Sequence, residues 1–303
     1  MLSYICSFKF KQLALLVIIY ALCHFAVQVF FLLSLEETNR VPVLLWWTQF
    51  VHINKERVIN CPNGEYQCLI TTNHSNSADV AAYLFYGSRI ENHDFPLPRN
   101  YAIPWAILHE ESPKNYAPFL YRKTQSIFNI TSTFSRYSDF PVTLQYLESV
   151  SSLRDSYYYV PVDTKNKYLK DIAPVLYIQS DCDTPINRDY LVKEFGKFIN
   201  IDSYGKCLTN KMFPKEFYEI YSLDLYNEEL LRFIAKYKFI VAFENAICED
   251  YITEKLWRPL IVGSIPIYLG SPTIEDWLPN KNSAILVKNY NSLQEVANLI
   301  KKN

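Results

Sequence analysis

Polar groups able to do chemistry are densest in FENAICEDYITEKLWRPL, which brings Asn245, Asp250, Tyr251, Glu254, Lys255 and Arg258 close together. Tyr251, Glu254, Lys255 and Arg258 stand at i, i+3, i+4 and i+7, the spacing of one helix face, while Ile252, Leu256 and Leu260 form an apolar stripe on another. Lys255 offers a compact positive charge suited to a diphosphate, and Glu254 can accept hydrogen bonds from ribose hydroxyls. By periodicity alone the commoner fate of such charges is a solvated helix face. A second cluster, His109, Glu110 and Glu111 before Ser112 and Pro113, could supply a base; by itself it also reads as a surface turn stopped by the proline. Asp181-Cys182-Asp183 mimics the Asp-x-Asp pattern that holds a metal, but three residues are a weak signal, and one carboxylate could simply cap the next helix.

The elements that must position these groups follow from the apolar pattern. Phe239 to Phe243 is a short β-rich run that ends at Glu244 and Asn245, which predicts a buried strand carrying polar groups at its carboxyl end. Asp250 sits where an N-cap belongs, the helical pattern runs from Tyr251 to Gly263, and Ile265 to Leu269 predicts a second strand. Pro259 should disturb the last turns by clashing with the Lys255 carbonyl. Strand, helix, strand is half of a nucleotide-binding crevice, where phosphate meets backbone donors at a helix start. Further strands are expected at 41–47, 82–87, 104–113 and 175–179, a helix at 187–198, and a last helix opened by Ser292 and Glu295 as a capping box.

The chain has 303 residues, half of them apolar, and a net charge of −1, enough for two modest cores and without the basic excess of a nucleic-acid binder. Residues 13–35 are an apolar run of membrane-spanning length, with Lys9 and Lys11 before it and Glu36 and Glu37 after it. This predicts a cytosolic tail at 1–12, a signal anchor at 13–35 in single-pass type II orientation, a short stem at 36–40 and a lumenal body. Asn73 and Asn129 lie in N-glycosylation triplets, as suits a lumen. Polar, proline-bounded 161–174 is expected to link two domains, 41–165 and 166–303. Cys182 and Cys207 each follow an expected strand end by three residues, and neighbouring parallel strand ends lie close, so this pair is expected to bridge.

FENAICEDYITEKLW resembles the signature of the α-(1,3)-fucosyltransferase family, glycosyltransferase family 10, in which Phe-Glu-Asn precedes Asp-Tyr-Ile-Thr-Glu-Lys-Leu and a Gly precedes a Pro-containing strand. In that family the signature's Asn, Tyr, Glu and Lys contact GDP-fucose, so the resemblance implies Asn245, Tyr251, Glu254 and Lys255 as donor-binding residues. It implies Glu111, directly before Ser-Pro, as catalytic base. Of two adjacent family arginines only the second is present, Arg136, with Ser135 in the first position; Arg136 is implied for the donor diphosphate or for bracing the base. Arg188, followed by Tyr190, is the nearest match to the phosphate-binding arginine. Arg258-Pro259 replaces the Asn-Ala of many members and, with GSP at 270–272 and DWLPN at 276–280, is similar to the branch called fucosyltransferase 10 and 11, also described as protein O-fucosyltransferases acting on EMI domains. Cys61 and Cys68 look like the family's first cysteine pair, whose partners lie in a carboxyl-terminal Cys-x-x-Cys tail. The chain stops at Asn303, so that tail is expected to be missing, and the two either pair with each other or mark a variant form.

The resemblance implies an α/β, GT-B-like fold, two Rossmann-like domains facing a cleft, acceptor side first and GDP-fucose-binding side second. The implied reaction is inverting transfer of L-fucose from GDP-β-L-fucose to a glycoprotein acceptor, first of all Ser or Thr in EMI-domain proteins, at the Golgi or endoplasmic reticulum membrane. No metal is expected to be essential, because Lys255 and an arginine can neutralise the leaving diphosphate. Two alternatives stand beside it: α-(1,3)-fucosylation of GlcNAc on N-glycans or lactosamine, and a catalytically silent lumenal protein that binds glycoproteins.

Overall fold

The computed structural model describes residues 41–48, 56–60, 64, 66–214, 217 and 224–302. The expected tail, anchor and stem at 1–40 lie outside the described residues, as does Cys61. Among the described residues no helix is long and apolar enough to cross a membrane.

The described chain forms two compact units, the first ending at Thr143 and the second beginning at Leu144. In the first, β1 (Val43–Trp46), β2 (Arg57–Asn60), β3 (Gln67–Thr71), β4 (Val80–Tyr86), β5 (Trp105–His109) and β6 (Ile130–Thr133) make one sheet in the order β2-β3-β1-β4-β5-β6, with a single-turn α1 (Arg122–Gln125) between the last two strands. All pairings are parallel except β2 with β3. Side chains alternate across the pleat: Leu44, Trp46, Leu84 and Leu108 pack on one face, Val43 and Leu45 on the other.

The second unit runs α2 (Val162–Tyr168), β7 (Val175–Gln179), α3 (Arg188–Phe195), β8 (Ile201–Gly205), α4 (Glu228–Ile234), β9 (Phe239–Phe243), α5 (Glu254–Ile261), β10 (Ile265–Leu269), β11 (Ile285–Leu286) and α6 (Leu293–Lys302). Its five strands are all parallel, in the order β11-β10-β9-β7-β8. Helices cover both faces: Val192 and Phe195 of α3 and Val296 and Ile300 of α6 pack with Val175, Phe239 and Val241. On the opposite face Leu230 and Ile234 of α4 meet Leu176 and Ile240, and Leu256 and Trp257 of α5 meet Ala242. The strand order reverses between β7 and β9, and there a doubly wound sheet opens a crevice at its carboxyl edge.

The segment 161–174, expected as a linker, contains α2 and belongs to the second unit. Lys165 explains why. It is buried, and its Nζ donates to Tyr237 O at 3.0 Å, Gly263 O at 2.9 Å and Ser264 Oγ at 2.9 Å, fastening α2 beneath the amino ends of β9 and β10.

Candidate active site

In the second unit the chemistry gathers where β9 gives way to α5. Glu244 follows the last residue of β9, is fully buried, and donates its backbone N–H to Leu269 O at 2.8 Å. Its carboxylate accepts from Thr253 N at 2.8 Å and from the Thr253 hydroxyl at 2.8 Å. Thr253 is the N-cap of α5; its Oγ1 accepts from Lys255 N at 3.3 Å and from Lys255 Nζ at 3.0 Å. Lys255 Nζ further lies 3.2 Å from Glu254 Oε1 and 3.5 Å from Glu244 Oε2, and Arg258 Nη2 lies 3.5 Å from Glu254 Oε1.

The side chains of Glu254, Lys255 and Arg258 are only 12%, 15% and 8% exposed, which rules out the solvated face. With Glu244 they form a partly desolvated network of two acids and two cations at a helix start. Burial by itself would raise the Glu254 carboxyl, but Lys255 and Arg258 outweigh it and hold the group down at about 2. Burial raises the Glu244 carboxyl, with Lys255 pulling the other way. Asn245 and Tyr251 are both buried at this edge.

Asp250 is not the helix cap, because the chain turns sharply there, with φ at +62°. Its backbone N–H donates to Ser271 Oγ at 2.9 Å, and its carboxylate accepts from Thr273 Oγ1 at 2.9 Å and Trp277 Nε1 at 3.0 Å. The bend is thereby tied to the loop after β10, and the helix starts three residues later than expected. Pro259 lies inside α5, which ends at Ile261 after two turns.

Arg188 opens α3 and is completely buried across the strand-order reversal. Nη1 donates to Phe243 O at 3.3 Å, Nη2 donates to Asp181 O at 2.6 Å and lies 3.7 Å from Asp181 Oδ2, while Nε has no partner. The guanidinium thus braces the ends of β7 and β9 from below. Cys182 and Cys207 form a disulfide with Cα atoms 5.4 Å apart, joining the loops after β7 and β8. These two sulfurs and Asp189 lie together in space, but bridged sulfurs are not metal thiolates. Neither Asp181 nor Asp183 caps α3, whose N-cap is Asn187 in a left-handed conformation.

In the first unit Glu110 and Glu111 follow β5, and Ser112, fully buried, starts a turn in which its Oγ accepts from Lys114 N at 3.3 Å. His109, the last residue of β5, is buried. Its ring packs 4.7 Å from that of Phe119 and against Gly87, where a β-carbon would lie 2.5 Å from Nδ1, and burial lowers its imidazole to about 4. It is therefore a neutral packing residue. Tyr86, at the end of β4, donates its hydroxyl to Glu110 Oε1 at 2.6 Å. Arg136 lies half-buried in the loop after β6, and His109 and Thr133 are register partners, so Glu111 and Arg136 follow adjacent strand ends. Asn73 is exposed and caps a short 3-10 helix; Asn129 is exposed, with Oδ1 accepting from Arg99 Nη2 at 2.8 Å and Trp105 N at 3.0 Å. Cys68 is disulfide-bonded.

Sequence reasoning passed over Thr253 and Tyr86. Thr253 could have been found as the Thr of Thr-Glu-Lys at a helix start, whereas nothing local marks Tyr86.

Two family profiles cover most of the chain: "Fucosyltransferase, N-terminal" matches residues 38–146, and "Glycosyltransferase family 10 (fucosyltransferase) C-term" matches residues 165–302. Human GDP-fucose protein O-fucosyltransferase 3 is 44% identical over 268 residues, covering 88% of this chain and 55% of that protein. Drosophila melanogaster alpha-(1,3)-fucosyltransferase B is 48% identical over 261 residues, covering 86% of this chain and 58% of that protein. The chain thus spans little more than half the length of the curated relatives it matches. A crystal structure of an alpha1,3-fucosyltransferase with GDP-fucose shares the fold, with a TM-score of 0.53 at 16% identity over 89% of this chain and 81% of that one. With both halves matched in order, the chain belongs to glycosyltransferase family 10, the fucosyltransferase family.

Proposed function

We propose that the protein is an inverting fucosyltransferase that takes L-fucose from GDP-β-L-fucose. The observation that carries this reading is the buried Glu244–Thr253–Lys255–Glu254 network where β9 meets the start of α5. A helix start with a lysine held beside it suits a diphosphate, and Glu254, kept ionised, suits ribose hydroxyls. Asn245 and Tyr251 complete the donor side, and Arg188 adds fixed positive charge beneath the crevice. In the first unit Glu111 takes the acceptor's proton as its oxygen attacks the anomeric carbon, opposite the departing diphosphate. Arg136 serves the donor diphosphate or braces that base. Lys255 stabilises the charge growing on GDP, so the chemistry requires no metal.

The acceptor is a protein Ser or Thr, with EMI-domain proteins the first choice; Arg258-Pro259 and the naming of the human relative as a protein O-fucosyltransferase support it. The Drosophila relative, named for α-(1,3) transfer, keeps GlcNAc as the second reading. A type II anchor at 13–35 and a lumenal body in the Golgi or endoplasmic reticulum belong to the same proposal, supported by the apolar run and the Cys182–Cys207 bridge. Donor titration and turnover on Glu111→Gln and Lys255→Ala test the two roles. Glu111→Gln should keep GDP-fucose affinity while turnover falls by about two orders of magnitude or more. Lys255→Ala should weaken donor binding by about tenfold or more. Full activity in the first variant, or unchanged donor affinity and turnover in the second, overturns the assignment concerned.

A further inference from the structure

A hydroxyl–carboxylate pair at the edge of the first sheet has no part in the reaction as described so far. Tyr86 is the last residue of β4, and Glu110 directly follows β5, its hydrogen-bonded neighbour. The phenol donates to Glu110 Oε1 at 2.6 Å. The backbone of Tyr86 is itself pinned: its N–H donates to Oγ1 of buried Thr48 at 2.6 Å, and Thr48 Oγ1 donates to Tyr86 O at 3.4 Å. Thr48 stands just past β1, so the backbone of Tyr86 is tied to the end of β1 while its phenol reaches the end of β5. Ionisation of Tyr86 is opposed first by burial, then by the charge of Glu110, and also by that of Glu111. Tyr86 is therefore a fixed donor to Glu110, in the field of Glu111 as well.

We propose that Tyr86 is a positioning residue for fucose transfer: it fixes Glu110 as a negative charge beside Glu111, which makes Glu111 the stronger base. The proposal rests on Glu111 as proton acceptor. As the acceptor oxygen forms its bond to the anomeric carbon, its proton passes to Glu111 and the bond to the diphosphate breaks, leaving its electron pair on GDP. A like charge beside Glu111 favours its protonated form and so favours that transfer. Without the phenol, Glu110 is free to swing, and both the charge and the approach of the base lose definition.

The test is steady-state kinetics of the full chain and its Tyr86→Phe, Glu110→Gln and Glu111→Gln variants, with GDP-fucose and a folded EMI-domain protein, alongside thermal unfolding. Tyr86→Phe should lower kcat about 10–100-fold with KM for both substrates and Tm unchanged. Glu110→Gln still accepts from the phenol but carries no charge, and should fall at least as far. A Tyr86→Phe variant with wild-type kcat overturns the proposal, and so does one in which kcat and Tm fall while both KM values rise, the mark of a merely structural role. Should Glu111→Gln turn over normally, the base assignment itself fails. Should Glu111→Gln alone be silent, only the role of Tyr86 fails. An unmodified chain that transfers fucose neither to the EMI-domain protein nor to N-acetyllactosamine overturns both.

Discussion

At the scale of single residues, the candidate donor site is governed by a charge balance inside the protein. Glu254, Lys255 and Arg258 are too buried to act as solubilising charges, and each depends on the others. Glu254 has a definite pH signature. Its carboxyl is held at about 2 against an ordinary 4.5, so its contribution to stability is complete above about 4.5 and is lost as the pH falls through that window. Glu254→Gln should remove this dependence: acid unfolding followed by circular dichroism should be shallower between about pH 4.5 and 2 than in the unmodified chain. An identical acid limb in the two proteins would mean that Glu254 is not ion-paired in solution. The residue types of this network were legible because the signature places them at helical spacing. Their burial was not, because α5 is packed by residues brought in from elsewhere in the chain, Tyr146, Leu153 and Tyr226 among them.

Among elements, α5 shows how a local pattern identifies a helix and misses its start. Helical spacing marked the helix and short apolar runs marked both flanking strands, and Phe239–Phe243 and Ile265–Leu269 are found at the expected positions. Asp250 read as the cap because aspartate is a good one, yet its partners are Thr273 and Trp277, more than twenty residues onward. The actual cap, Thr253, does two jobs: it satisfies the helix start and donates to the buried Glu244 carboxylate. Thr253→Val keeps the shape and removes both. Loss of a cap and of a hydrogen bond to a buried charge should cost about 3 kcal/mol in urea unfolding, and Thr253→Ser should recover most of it. A loss below about 1 kcal/mol would remove Thr253 as the keystone of this corner. In the first unit, β6 escaped notice because Ile130–Thr133 carries a single large apolar residue among hydroxyls, and β2 because it is a short antiparallel edge.

For the whole molecule, the central strands of both sheets were legible from short apolar runs spaced along the chain, while β2, β3 and β6 of the mixed first sheet were not, and the all-parallel second sheet follows from helices on both faces. The unit boundary was misjudged by composition: 161–174 is polar and proline-bounded, but Lys165 ties it to three acceptors of the second unit. Such docking is tertiary and leaves no local trace. Each unit carries polar groups at the carboxyl edge of its sheet, at the strand-order reversal between β7 and β9 in the second and after β5 and β6 in the first, and this is why one is read as holding the donor and the other as activating the acceptor. The most direct test incubates the purified chain with GDP-fucose and a folded EMI-domain protein, and measures GDP release together with the intact mass and the modified residue of the product. The account predicts GDP release matched by one deoxyhexose on a Ser or Thr, abolished in Glu111→Gln. GDP-fucose that binds yet is never consumed, with this acceptor or with N-acetyllactosamine, would contradict it and leave a carbohydrate-nucleotide-binding protein without transferase activity.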